Sequence, residues 1–167
     1  MVKSSAVFLI FLLILCSWAC EKDDICVDGD TPLLIIRFYD SNDTTELKKA
    51  PSLRVIGLGQ NSTVDTFADR SATDSIAIPL RVNQAETGFV FILNSADTDD
   101  EETGNIDTLR FGYEIREVFV SRACGFVANF DSLQATLPTE GSPWIQNISI
   151  ITPSVQNQTS AHVKIFH

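Results

Sequence analysis

The chain has 167 residues, of which 44% are hydrophobic, and its 22 acidic and 12 basic side chains give a net charge of −10. This length allows one domain with a substantial core but does not comfortably allow two. The acidic surface argues against nucleic-acid binding and against direct docking on anionic headgroups, because both functions need clustered positive charge.

The N-terminus has the three regions of a secretory signal. Lys3 supplies the positive charge, residues 6–16 form an unbroken apolar run, and Ser17-Trp18-Ala19 stand directly before Cys20. A bilayer-spanning helix needs about 20 apolar residues, and this run is roughly half as long. We therefore expect residues 1–19 to be removed as a signal peptide.

The cleavage region resembles the bacterial lipobox, in which a small residue precedes a cysteine that receives diacylglycerol before the peptide is cut. Trp18 departs from the small or aliphatic residue usual at its position, and an ordinary signal peptide is the alternative. A multiply acylated Cys20 would hold the protein firmly on a membrane, whereas a single acyl chain would hold it only marginally.

The cysteine count agrees with lipid on Cys20. Cys16 would leave with the signal peptide, so the mature chain keeps Cys20, Cys26 and Cys124. If lipid occupies Cys20, then Cys26 and Cys124 remain as an even pair, and in an oxidising compartment a disulfide between them is expected. The alternative is one buried free cysteine and one exposed one.

The mature chain is predicted to consist of an acidic tether, residues 20–31, and a single β domain, residues 32–167. Short apolar segments separated by turn residues predict eight or so strands. The predicted strands are 33–39, 53–58, 75–80, 89–93, 109–120, 126–130, 144–151 and 161–166.

Some strands carry positional information. Pro79 lacks an N–H, which places strand 75–80 at a sheet edge or makes residue 79 a strand end. Strand 89–93 is apolar on both faces, which predicts a central position. The alternation along 109–120 shifts by one residue, which predicts a β-bulge near Arg116-Glu117. A helical turn is expected at residues 131–135.

This pattern favours an antiparallel β-sandwich of the immunoglobulin-like kind, with a closed β-barrel as the alternative. A bend is expected at residues 122–125, just before strand 126–130. No internal repeat is found.

The sequence offers no catalytic constellation, so a non-enzymatic protein without a cofactor is predicted. His162 and His167 are expected on opposite faces of the last strand, more than about 10 Å apart, and so unable to share a metal. We interpret them as surface or packing residues. Tyr39, Tyr113 and Trp144 could form a sugar-stacking platform, although such aromatics are more often core.

An acidic segment, residues 97–107, suggests a calcium site, because hard cations are bound by several oxygen atoms. It lacks the EF-hand order of ligands, and a solvated loop between two strands is the favoured interpretation. The weak calcium candidates are Asp97, Asp99, Asp100 and Glu102.

Four stretches together resemble an uncharacterised lipoprotein family of Bacteroidota, known only as a domain of unknown function. They are residues 20–26 (CEKDDIC), 31–40 (TPLLIIRFYD), 118–126 (VFVSRACGF) and 161–167 (AHVKIFH). The resemblance implies the phylum, an envelope location and a pair of cysteines. It implies no activity and no site.

Two further motifs follow from that resemblance. In this phylum Lys22-Asp23-Asp24 looks like the signal that sends lipoproteins to the outer face of the outer membrane, and a merely solvated tether is the alternative. The phylum also O-glycosylates Asp-Ser/Thr motifs, and Thr44 is the candidate because its context is the most turn-like.

The sequence therefore predicts a lipid-anchored outer-membrane protein that faces the cell surface, with the periplasmic face as the alternative. Its expected role is a non-enzymatic binding or structural accessory module, bound to the membrane through Cys20, with an unidentified protein or glycan partner. Two alternatives are a carboxylate-based enzyme acting on polysaccharide or cell wall, and a calcium-stabilised adhesive module.

Overall fold

A computed structural model describes residues 25–26, 29–60, 62–99, 101–138 and 141–167. These residues contain nine β-strands and no helix. The strands are β1 (Leu34–Tyr39), β2 (Ala50–Gly57), β3 (Ser71–Thr73), β4 (Ser75–Ile78), β5 (Glu86–Thr98), β6 (Glu101–Ser121), β7 (Gly125–Thr136), β8 (Asn147–Ile150) and β9 (Val163–Phe166).

The strands form two sheets, with the orders β4-β1-β9-β8 and β3-β2-β5-β6-β7. Neither sheet closes on itself within the described residues, so the predicted class, a β-sandwich, is confirmed and the barrel alternative is not. One pair departs from the wholly antiparallel arrangement expected, because β1 and β9 run parallel. The short β3 is the strand that the sequence pattern did not predict.

One hydrophobic core lies between the sheets and draws side chains from both. Alternate residues of β1, Leu34, Ile36 and Phe38, are fully buried from the four-stranded sheet, and β5 contributes Phe89 and Phe91 from the other sheet. This is the period-2 burial expected of strands that cover one face. Each such side chain stabilises the fold by about 1.5 to 3 kcal/mol relative to an exposed position.

Two positional predictions are confirmed. Among the strands that the structure describes, β4 is an edge strand that pairs only with β1, and it ends at Ile78, directly before Pro79. β5 occupies the middle of the five-stranded sheet and pairs with β2 and β6.

The bulge prediction was wrong in position. The irregularities in the β6–β7 ladder fall between Gly112 and Glu114 and between Phe119 and Ser121, on either side of the expected site. At the first one, β7 inserts an extra residue, and Ser132 there takes a left-handed conformation with φ 55°. Val118 pairs with Val127 on the outer face, whereas Val120 falls at the second irregularity, where β6 carries the extra residue.

The helical turn expected at residues 131–135 is also wrong, because these residues belong to β7. Pairing with β6 overrides the local preference of Asp131-Ser132 for a turn. The Asp131 carboxylate accepts a hydrogen bond from Arg116 on β6. The predicted bend at residues 122–125 is confirmed as the turn between β6 and β7.

Candidate functional site

The hairpin formed by β6 and β7 extends beyond the hydrophobic core at its turn. On the inner face of β6, Leu109 and Phe111 are fully buried, whereas Ile115 is 36% and Phe119 is 56% exposed. The inner face of β7 changes in the same way, from the fully buried Phe130 to Phe126, which is 66% exposed. The apolar pattern of these strands therefore continues past the point where the core ends.

Phe119 and Phe126 are directly opposite each other in the hairpin ladder. Their ring centroids are 5.3 Å apart with an interplanar angle of 64°, an edge-to-face arrangement. Such a cross-strand pair is worth about 0.5 to 1.5 kcal/mol beyond its buried area. Val82 is exposed next to the hairpin and shares a shallow cavity with Ile115 and Phe126.

We call this surface the apolar tip and define it as Val82, Ile115, Phe119 and Phe126. Contiguous exposed apolar side chains on a soluble domain mark places that contact something else. The sequence analysis missed the tip. The signal was the symmetric placement of the two phenylalanines about the turn at residues 122–125, which a hairpin pairs across its strands.

The chain that leads into the domain is joined to this hairpin at two points. A disulfide joins Cys26 to Cys124 in the hairpin turn, with their Cα atoms 4.9 Å apart, and this is the pairing that the cysteine count predicted. Thr31 Oγ1 accepts a hydrogen bond from the Ala128 N–H at 3.4 Å. Part of the predicted tether therefore lies against the hairpin, and only the residues between Cys20 and Cys26 separate the proposed lipid from this attachment.

Gly29 is required by the disulfide. A Cβ atom at this position would overlap Cys26 Sγ and lie 3.0 Å from Cys124 Sγ, so any side chain would have to displace the bridge.

The acidic segment lies at the opposite end of β6, and the prediction of a loop there was wrong. Asp97 is on β5 and Glu102 is on β6, in ladder pairing with each other. Their carboxylates bind two arginines: Arg54 donates to Glu102 at 2.6 Å and Arg70 donates to Asp97 at 2.7 Å. The two acids are therefore paired with arginines where the ladder approaches its turn.

These ion pairs argue against the calcium hypothesis, because two of the candidate ligands already bind arginines. Hydrogen bonds from Arg70 lower the pKa of Asp97 below its ordinary value. Burial would raise the pKa of Glu102, but hydrogen bonds from Ser95, Arg54 and Arg70 outweigh it and lower that pKa. Asp99 is exposed in the turn and Asp100 lies outside the described residues. Within the described part of the chain, no group of three or more His, Cys, Asp or Glu side chains is arranged to hold a metal.

The two histidines are packed in the interior. His162 is 2% exposed, and its Nδ1 accepts a hydrogen bond from the Ile35 N–H at 3.0 Å. His167 packs edge-on against Phe38 and Trp144. Burial lowers the pKa of both imidazoles, which favours their neutral forms.

The aromatic residues considered for a sugar platform are core residues. Trp144, Tyr39 and Tyr113 are all at most 9% exposed. The Tyr113 hydroxyl donates a hydrogen bond to the Arg81 carbonyl at 2.8 Å and also pairs with the Thr87 hydroxyl. These rings therefore stabilise the sandwich and present no stacking face.

Two further carboxyls with a shifted pKa accept hydrogen bonds from distant segments of the chain. Burial raises the pKa of Asp107, whose Oδ2 accepts from the Ile145 N–H at 2.8 Å and fixes the segment before β8. Arg116 lowers the pKa of Asp131 to about 2, and the Ser154 hydroxyl donates to the same carboxyl. Each carboxyl thus has a structural partner.

Several predicted sites lie outside the described residues. These are the signal peptide 1–19, the lipidation site Cys20 and the export signal Lys22-Asp23-Asp24. Thr44 is described, and it is exposed in the turn that follows β1, as its context predicted. The described residues contain no helix that is long and apolar enough to span a bilayer.

Comparison with known proteins gives one result. Residues 52–167 match the profile of a family of unknown function, DUF6452. Because the match covers most of the chain, the protein belongs to this family. No curated protein and no solved structure matches the chain. The match begins inside β2, so it does not include β1.

Proposed function

We propose that this member of the DUF6452 family is a lipid-anchored protein of the cell envelope in Bacteroidota, held through Cys20 at the outer membrane. Its role is that of a non-enzymatic binding or structural accessory module. The main support for the proposal is the arrangement of the cysteines. Cys26, six residues after the lipobox-like Cys20, forms a disulfide with Cys124.

The disulfide supports export in two ways. Stable disulfides of this kind belong to oxidising compartments, which agrees with a signal peptide at residues 1–19. It also uses two of the three cysteines of the mature chain, which by count leaves Cys20 as the odd one. Lipid on that sulfur accounts for the odd number.

The state of the carboxyls supports a non-enzymatic role. A general acid at neutral pH needs a raised pKa and access to substrate. Asp107 has a raised pKa but lies 5% exposed beneath backbone amides, whereas Asp97, Glu102 and Asp131 are held ionised by arginines. The exposed apolar tip supports docking rather than turnover.

The anchor is tested by replacing Cys20 in a Bacteroidota host that is fed a labelled fatty acid. The natural protein should carry the label and sediment with membranes. Cys20→Ala should lose the label and become soluble or stay at precursor size, because its sulfur is the proposed attachment point. Cys16→Ala is the control, since this residue lies inside the signal peptide. Label retained in Cys20→Ala would overturn the anchor.

The orientation is tested with protease added to intact cells. If Lys22-Asp23-Asp24 directs the protein to the cell surface, the natural protein should be digested. A variant with alanine at these three positions should be protected while still labelled. Full protection of the natural protein would place it on the periplasmic face.

Thr44 is proposed as an O-glycosylation site. The neighbouring Asp43 carboxylate accepts from the Thr45 N–H at 3.1 Å, so the turn presents the Thr44 hydroxyl to solvent. The intact mass of the native protein should exceed that of Thr44→Ala by one glycan. Equal masses, after allowance for the substitution, would exclude glycosylation there.

A further inference from the structure

We infer that the end of the apolar tip nearest the turn lies on the bilayer that holds Cys20, with Phe119 and Phe126 inserted among the lipid headgroups and Ile115 and Val82 above them. This rests on the proposed lipid anchor and adds to it a surface, an orientation and a second membrane contact.

The first argument is covalent reach. Cys26 is six positions after Cys20, and an extended chain advances at most about 3.6 Å per residue, so their Cα atoms can be no more than about 22 Å apart. The disulfide then brings Cys124 within 4.9 Å of Cys26. A lipid on Cys20 therefore keeps Cys124 in the hairpin turn within roughly 27 Å of the Cys20 Cα, whatever path the tether takes.

The second argument is where the exposed apolar side chains lie. Phe126 follows Cys124 by two residues, and Phe119 is its cross-strand partner. Ile25, which precedes the other half of the disulfide, is 81% exposed. Exposed apolar side chains therefore flank the disulfide. Burying them at the membrane interface would lower the free energy.

The third argument is the distribution of charge along β6. Its 21 residues run from the acidic end at Glu101 and Glu102 to the tip, a length of up to about 70 Å at the usual rise per residue. With the tip at the membrane, the exposed carboxyls of Asp99 and Glu101 are as far from the headgroups as β6 allows, and Glu102 beside them is already paired with Arg54 and Arg70. At the tip itself, Arg122 is exposed in the turn, where its guanidinium can bind a lipid phosphate.

Glu117 is the unfavourable group in this arrangement. It is exposed on the same face as Phe119, two residues farther from the turn. Insertion is therefore shallow, to the depth of the two phenylalanine rings, with Glu117 remaining in water. Shallow insertion is typical of membrane contacts made at the boundary between headgroups and acyl chains.

The test uses the full lipidated protein in phosphatidylcholine vesicles that contain brominated acyl chains, which quench tryptophan at contact. Phe119→Trp and Phe126→Trp each place a reporter at the tip, and both natural rings are more than half exposed, so the larger ring fits. Trp144 is 6% exposed in the core, and its constant signal is subtracted.

Ile106→Trp is the matched control. Ile106 lies on the same strand and is 53% exposed, close to the 56% of Phe119, but it is thirteen residues nearer the acidic end. We expect brominated lipid to quench the emission of Phe119→Trp and Phe126→Trp at least twofold. Ile106→Trp emission should stay unchanged.

The outcomes separate the inference from the proposed anchor. If the protein floats with the vesicles and the tip variants are quenched no more than Ile106→Trp, the inference is wrong and the anchor stands. If the natural protein carries no lipid and does not float, the anchor is wrong and the inference falls with it. If the tip variants show blue-shifted emission that is not quenched and that changes on dilution, a second copy covers the tip, which also overturns the inference.

Discussion

Cys26 and Cys124 are separated by 98 residues, so their disulfide closes most of the domain into one loop. Loop-closure entropy gives roughly 4 to 5 kcal/mol for a loop of this length, an upper value because strain and residual unfolded structure reduce it. We expect Cys26→Ser and Cys124→Ser each to lower the free energy of unfolding by a similar amount, and the double variant to lower it little further.

Denaturant unfolding of the soluble domain lacking Cys20 measures this effect. The natural sequence under reducing conditions is the control and should match the serine variants. Thiol titration of the unreduced, denatured domain gives an independent check, and two free thiols would contradict the disulfide.

Asp131 gives the molecule a defined acid sensitivity. Its folded pKa of about 2 lies below the ordinary value of 3.8 for an aspartate because Arg116 and Ser154 bind the ionised form. The folded state therefore holds its proton more weakly than the unfolded state does. The resulting stabilisation is present above about pH 4 and is lost as the pH falls toward 2.

We expect the melting temperature of Asp131→Asn to be lower than that of the natural protein at pH 6 and closer to it at pH 2. Ser154→Ala should show an intermediate pH dependence, because it removes one hydrogen bond and keeps the Arg116 pair. A constant difference between Asp131→Asn and the natural protein across this range would show that the ion pair does not govern acid stability.

At the scale of elements, the acidic end of the β5–β6 hairpin is joined to β2 and to the residue before β3. Glu102 accepts from Arg54 on β2 and also from Arg70, and it is largely shielded from solvent. Replacing it with glutamine leaves the two guanidinium groups competing for fewer acceptors. We expect Glu102→Gln to destabilise the domain by about 1.5 to 3 kcal/mol, the value of a hydrogen bond to a charged group.

The variant Glu102→Gln also tests whether the acidic segment binds calcium. Because Asp97 and Glu102 already bind arginines, we expect neither added Ca²⁺ nor excess chelator to shift the melting temperature of the natural protein. A rise with Ca²⁺ that disappears in Glu102→Gln would contradict this and restore the calcium hypothesis.

The elements that could be predicted from sequence are those whose pattern is a property of one strand. β1 is a run of β-branched, aliphatic and aromatic residues, the buried half of β6 alternates apolar and polar residues, and Pro79 identifies an edge by its missing N–H. The end of β6 near Glu102 could not be predicted in this way. Its polar residues are held in a strand by cross-strand ion pairs, which no local pattern contains.

The apolar tip was missed for a related reason. In the structure Phe119 lies on the same face as Phe111 and Tyr113, whereas the shift expected near Arg116-Glu117 would put it on the opposite face. Whether it is buried depends on how far the opposite sheet reaches, and that is a property of the assembled sandwich. The cysteine pair was predictable because counting cysteines requires no geometry.

At the scale of the whole molecule, β1 joins distant parts of the chain. It pairs with β4 on one side and with β9 on the other, so residues near 35 hydrogen-bond with residues near 77 and 164. The match to the DUF6452 family begins at residue 52 and leaves β1 out. The matched segment is therefore smaller than the folding unit.

We predict that a fragment comprising residues 52–167 does not fold, whereas residues 25–167 do. Removing β1 takes away the fully buried side chains of Leu34, Ile36 and Phe38. At about 1.5 to 3 kcal/mol each, these three side chains account for roughly 5 to 9 kcal/mol, comparable to the net stability of a typical domain. β4 would also lose its ladder partner in the described sheet.

A fragment comprising residues 29–167 is the control, because it lacks Cys26 but keeps β1, and it should fold with reduced stability. Amide proton shifts in NMR spectra and cooperative thermal unfolding distinguish the three fragments. Cooperative unfolding of 52–167 at the temperature of 29–167 would show that β1 is dispensable and that the family match defines a complete domain.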